Sequence, residues 1–180
     1  MPRTPEAIRQ HLADYYGMIA HLDDAIGNIL VTADRAGLLD DCVVVYTADH
    51  GLALGQHGLM GKQNLYEHSL NIPLIIAGRG IKGGQRLSPL VWHADTRATV
   101  LDLAGVPVEE NSEGVSLLPI INGDGAAPRQ RFGAAYRMGQ RMVRDERYKL
   151  IRYYEQGDHS DDEPARVTDA KRRGGPRPTF

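Results

Sequence analysis

Asp49, His50 and Lys62 are the side chains in this sequence whose types and spacing suit chemistry. The first two are adjacent at the end of an apolar run, Val43 to Tyr46. A carboxylate and an imidazole leaving a strand together can share a divalent cation. In open α/β sheets, ligands sit just beyond the carboxyl ends of the strands. Lys62 comes twelve residues after His50, past Gly51, Gly55, Gly58 and Gly61. It reads as a mobile cation at the far side of a glycine loop, able to fold back over an anion. A dipeptide of Asp and His is a weak signal alone, since hydrogen-bonded pairs of this kind are common. The glycine-rich loop strengthens it, because such a loop costs stability unless the backbone must approach something closely.

The elements that must position these groups follow from the periodicity. Thr4, Pro5 and Glu6 form a helix start: hydroxyl N-cap, proline at the first helical position, acid in the first turn. Apolar residues at Ile8, Leu12, Tyr15, Ile19, Leu22, Ile26, Ile29, Leu30 and Ala33 trace one face of a long helix that Gly37 ends. Asp23 and Asp24 are neighbours on that helix, point about 100° apart and do not converge on a substrate. The run 43–48 suits a buried strand, and Pro73–Gly78 suits a second. Residues 65–70 read as a short helix or turn, and Leu90–Val91 as a short edge strand. Asp95 is expected to cap a helix over 96–104, with Val100, Leu101 and Leu103 inward and Gly105 at its end. Segments 133–137, 141–144 and 147–153 read as antiparallel strands, with Gly139 and Asp145–Glu146 at the turns. Beyond Tyr154 an acidic block and then a basic one suggest disorder. The expected organisation is therefore an α/β part over residues 1–125, a small β subdomain over 126–154 and a tail over 155–180.

Composition sets limits. The chain has 180 residues, 42% of them hydrophobic, with a net charge of −2. No global attraction to nucleic acid or to an anionic membrane follows from that balance. Lys171–Arg173 is too small a patch to alter it. No apolar run approaches the ~20 residues of a membrane span. The first ten residues lack the apolar core of a secretory signal, so the chain reads as soluble, and cytoplasmic as it stands. Cys42 is the only cysteine. It excludes an internal disulfide, leaves the compartment open and reads as a small core residue.

Several segments, in order, resemble the sulfatase family of the alkaline-phosphatase superfamily. YYGMIAHLDDAIGNIL is similar to the family's long helix before its metal-binding strand, and VVVYTADHGLALGQHGLMGKQNLYEHSLNIPLII to the metal strand, loop and following strand. HADTRATVLDLAGVPV resembles the late helix, and RMVRDERYKLIRYY the C-terminal hairpin. The resemblance implies part of an alkaline-phosphatase-like α/β sandwich with a small antiparallel β subdomain. It implies that Asp49 gives a carboxylate to a divalent metal, usually calcium. His50 would ligate the same metal or touch the ester oxygen, and Lys62 would bind a sulfate oxygen and steady the leaving group. An imidazole departs from the simplest calcium cage of oxygens, and leaves manganese or zinc conceivable. His57 and His68 read as structural or loop hydrogen-bonding residues.

The family's nucleophile is a formylglycine made from cysteine or serine in Cys/Ser-x-Pro-x-Arg, and this sequence has no such motif. The family's N-terminal aspartate pair is absent too. The expectation is the C-terminal portion of a sulfatase, carrying half of a metal site and a sulfate-gripping lysine, and without turnover by itself. Two rivals stand beside it. One is a phosphatase, phosphonate hydrolase or metal-dependent mutase of the same superfamily. The other is a non-catalytic remnant or interaction module, which would self-associate through exposed sheet edges.

Overall fold

The computed structural model describes residues 4–154. The expected tail, with Lys171–Arg173, lies outside them. The backbone forms two units. Of the described residues, the first takes 4–62, 66–87 and 118–125; the second takes 63–65, 88–117 and 126–154.

In the first unit, α1 runs from Pro5 to Arg35. Thr4 is the N-cap, its hydroxyl accepting from the Ala7 amide at 3.3 Å, and Gly37 follows the C-cap at φ 67°. Both ends are those expected. The apolar stripe is present, but no residue of α1 is buried. Strand β1, Val43–Thr47, pairs antiparallel with β4, Leu74–Gly78, Thr47 standing opposite Leu74. The Thr47 hydroxyl also donates to the Pro73 carbonyl at 2.9 Å, closing the end from which the chain leaves for Asp49. The strands were expected to be buried. They are not: β1 is half-buried, and Ile75 and Ala77 of β4 face outward. A two-stranded ribbon has faces that nothing in this unit covers, so β-branched residues suited to a central strand stand exposed.

Between them lies a hairpin the glycine pattern did not announce. Strand β2 (Ala53–Leu54) pairs with β3 (Met60–Gly61), and Ala53 is fully buried opposite Gly61. The short helix α2, Glu67–Leu70, lies in the segment expected to be a helix or turn. Helix α4, Leu118–Asn122, buries Ile121.

The second unit is built on α3, His93–Leu103, and a meander of β5 (Phe132–Tyr136), β6 (Gln140–Arg144) and β7 (Lys149–Tyr153). The meander matches expectation in strand number and turns. Three details differ. Leu90–Val91 forms no strand. Asp95 is not the N-cap; it lies at the third helical position and accepts from the Trp92 amide at 2.9 Å. The helix buries Asp95, Ala98 and Thr99 rather than Val100, which is largely exposed. The buried face is polar because it stitches a neighbouring loop. Thr99 Oγ1 accepts from the Leu117 amide at 2.9 Å, and Asp95 Oδ1 from the Val115 amide at 3.0 Å.

Asp95 also receives a two-pronged contact from the Arg129 guanidinium, which donates in addition to the Leu90 carbonyl at 3.1 Å. Burial by itself would push the Asp95 carboxyl up. The hydrogen bonds from Arg129, Val115 and Trp92, with the Arg129 charge, outweigh it and hold the carboxyl below its ordinary value.

Candidate active site

Thr47 ends β1 and the chain turns at once. Gly51 explains how tightly. Its amide donates to the Ser69 carbonyl at 2.9 Å, and a Cβ there would stand 2.0 Å from the His68 carbonyl oxygen. Only a residue without a side chain lets this turn lie against the backbone of α2. The turn leaves Asp49 outermost, with its side chain 82% exposed, and His50 part-buried beneath it.

The His50 ring is oriented from both sides. Its Nδ1 lies 3.0 Å from the Gly51 carbonyl oxygen. A carbonyl only accepts, so this contact favours the tautomer with the proton on Nδ1 and the lone pair at Nε2, facing the Lys62 ammonium. That nitrogen stands 3.1 Å from Asp49 Oδ2, while Asp49 Oδ1 accepts from the His50 amide at 2.9 Å. Two electron-pair donors held this close favour a shared cation. The Lys62 ammonium meets the same Nε2.

Lys62 is delivered by the hairpin. The Gly55 amide donates to Leu59 at 2.9 Å and the Gly58 amide to Gly55 at 3.0 Å, folding residues 55–59 into a tight tip. Strand β3 then returns the chain to Gly61, one residue before the lysine. The structure thus brings Asp49, His50 and Lys62 together.

His57 and His68 do not join them. They lie with Tyr66 in a cluster of three rings. Reasoning from sequence passed over Tyr66, whose one signal was an aromatic residue just after the glycine loop. Asp23 and Asp24 are solvent-exposed on α1. Among the described residues no group of three or more His, Cys, Asp or Glu could hold a metal. Asp49 and His50 supply two donors of kinds that divalent cations accept. An open cleft in the second unit, lined by Ser88, Leu90, Arg144 and Glu146 among others, contains none of the three residues.

Residues 2–106, more than half of the chain, match the sulfatase family. This chain belongs to the sulfatase family. Residues 55–162 of this chain also match the C-terminal region of N-sulphoglucosamine sulphohydrolase. Over 123 residues it is 40% identical to the choline-sulfatase of Rhizobium meliloti (strain 1021), an alignment that covers 67% of this chain and 24% of that enzyme. A protein solved with its substrate D-glucosamine-2-N,6-O-disulfate superimposes with a TM-score of 0.74 at 30% identity, over 92% of this chain and 35% of that one. A phosphonate monoester hydrolase from Silicibacter pomeroyi superimposes at 0.70 and 23% identity, over 89% and 38%. These likenesses establish the alkaline-phosphatase-like α/β fold. The chain spans about a quarter of the length of the curated relatives it matches. Sulfatases generally use a divalent metal. No described helix is long and apolar enough to cross a membrane.

Proposed function

We propose that this chain carries one part of a sulfatase active site, and that the complete site hydrolyses a sulfate monoester to an alcohol and sulfate. Asp49 and His50 hold a divalent cation, calcium in the first instance, and Lys62 binds the sulfate. One observation carries the reading: the Asp49 carboxylate and the Lys62 ammonium meet at the same ring nitrogen of His50.

A divalent cation held by Asp49 and His50 would supply Lewis-acid polarisation of a sulfate oxygen. The protein's own groups do the rest. Asp49 and His50 set the cation's place at the strand end. The Gly51 carbonyl keeps the His50 proton on Nδ1, so that Nε2 stays available as a ligand. Lys62 leaves His50 for a non-bridging oxygen of the ester. As a nucleophile that this chain does not supply attacks the sulfur and the ester S–O bond breaks, its ammonium would counter the charge gathering on the sulfate and on the departing alkoxide, which takes up a proton to leave as the alcohol. Charge placed in advance where it develops is the largest single contribution to many such reactions.

The family's formylglycine motif is not among these 180 residues, so the chain alone is expected to show no turnover. Relatives named for choline sulfate and for N-acetylglucosamine-6-O-sulfate match at similar identity, which supports a sulfate monoester without selecting its alcohol. The likeness to a phosphonate monoester hydrolase, at 23% identity, speaks to fold and does not favour that chemistry.

The test is a titration of the purified chain with inorganic sulfate in calcium buffer, followed at the Lys62 ε-methylene resonance, beside an aryl sulfate assay. The reading requires a sulfate-dependent shift that disappears in Asp49→Asn and no turnover. Steady turnover that survives Lys62→Ala would overturn it.

A further inference from the structure

Lys62 is delivered by a hairpin that has only two residue pairs, Ala53–Gly61 and Leu54–Met60. A ladder that short does not hold its own geometry in water. The tip must be tied elsewhere. Inside it His57 adopts φ 54° and ψ 24°, a left-handed conformation uncommon for a residue with a side chain. That turn places the His57 ring on the ring of Tyr66, with centroids 4.5 Å apart and planes 17° from parallel. His68 closes on both rings, at 5.9 Å from His57 and 5.8 Å from Tyr66. Tyr66 is anchored in turn. As the residue before α2, its carbonyl accepts from the amides of Ser69 and Leu70 at 3.0 and 3.1 Å.

His57 lies five residues before Lys62 and Tyr66 four residues after it. The stack therefore closes a ten-residue loop with the lysine near its middle. We infer that His57 and Tyr66 form a clasp that sets where the Lys62 ammonium stands, making both of them positioning residues for sulfate binding. The inference rests on the reading of Lys62 as the sulfate-binding group. The clasp acts through the loop backbone that joins the two rings to Lys62. Histidine suits the hairpin side of the clasp because it combines an aromatic face with tolerance of left-handed backbone.

The test uses the full 180-residue chain, isotope-labelled, and four variants. His57→Asn keeps the backbone preference and removes the ring. His57→Phe restores a ring. Tyr66→Leu and Tyr66→Phe do the same on the other side. The first readout is the nuclear Overhauser contact between the Lys62 ε-methylene and the His50 ring. The second is the sulfate titration at Lys62. The contact should vanish in His57→Asn and Tyr66→Leu, with sulfate weakened about tenfold, the equivalent of losing one ring stack. Both phenylalanine variants should keep both signals. Cross-peaks between β1 and β4 report whether the fold persists. If Tyr66→Leu loses them, the His57 pair decides, because that side chain is exposed and its removal leaves the core intact. Retention of the contact in His57→Asn, or its loss in Tyr66→Phe, overturns the clasp. If the unaltered chain shows no sulfate shift at all, the reading of Lys62 fails, and the contact still decides the clasp.

Discussion

Lys62 Nζ donates to His50 Nε2, across twelve residues of chain. The loop between them carries four glycines, and nothing in its sequence says that it comes back to its start. It does so because β2 and β3 pair and because Gly51 lets the strand-end turn lie against α2. A cation thereby rests on the nitrogen proposed to hold a metal.

Calcium or manganese should bind weakly. With two protein ligands in place, a dissociation constant on the order of 1 mM or weaker is expected. Manganese should broaden the Asp49 and His50 resonances first, and Asp49→Asn should abolish that broadening. Broadening centred elsewhere would remove the assignment of these two residues as ligands.

Gly51→Ala should be costly. The added methyl has no room against the His68 carbonyl, so about 3 kcal/mol or more of stability should be lost. The His50 ring should move as well, which chemical denaturation and the His50 ring shifts would report together. A stable variant with unmoved ring shifts would mean that the turn is looser than its geometry indicates.

The Asp95–Arg129 pair should set the acid limit of the second unit. The carboxyl is held below its ordinary value of 3.8. Its stabilisation is therefore complete above that value and is lost as pH falls through the folded-state value. Unfolding monitored from pH 6 to 2 should steepen below about pH 4. Asp95→Asn should flatten that limb and cost about 3 kcal/mol at pH 7. That is the low end for a broken buried pair, because the Arg129 side chain keeps 17% exposure. Glu109 is held at about 2 by hydrogen bonds from Arg97, but both groups face solvent. Glu109→Gln should therefore change stability far less.

The chain should self-associate. Ile19, Leu22 and Ile29 of α1 are 45%, 49% and 67% exposed, and Ile75 of β4 is 58% exposed. Each such side chain gains roughly 1.5–3 kcal/mol on full burial. Sedimentation should show mass rising with concentration, and Leu22→Lys with Ile75→Lys should shift it toward monomer. A monomer at high micromolar concentration in the unaltered chain would count against this.

Much of the frame was legible in the sequence, because it is written in local terms. Thr4, Pro5 and Gly37 mark the ends of α1 by capping and backbone preference, which need no tertiary partner. The β5–β7 meander follows from alternation and turn residues separated by few positions. Asp49, His50 and Lys62 stood out by type and by the glycines between them. What failed to be legible depended on packing. The exposure of β4 and of the α1 stripe reflects which faces find cover, and apolar periodicity says only which faces want it. The inward face of α3 is polar because Asp95 and Thr99 bind loop amides about twenty residues downstream.

The sequence by itself determined the sulfatase resemblance and the three candidate site residues, since residue type, order and spacing are properties of the chain. Tertiary structure decided that these three meet at one nitrogen, and that His57 and Tyr66 close the loop around Lys62. The reason is physical: hydrogen-bond reach and ring stacking are distances in space, and a glycine loop permits many paths, among which packing selects one.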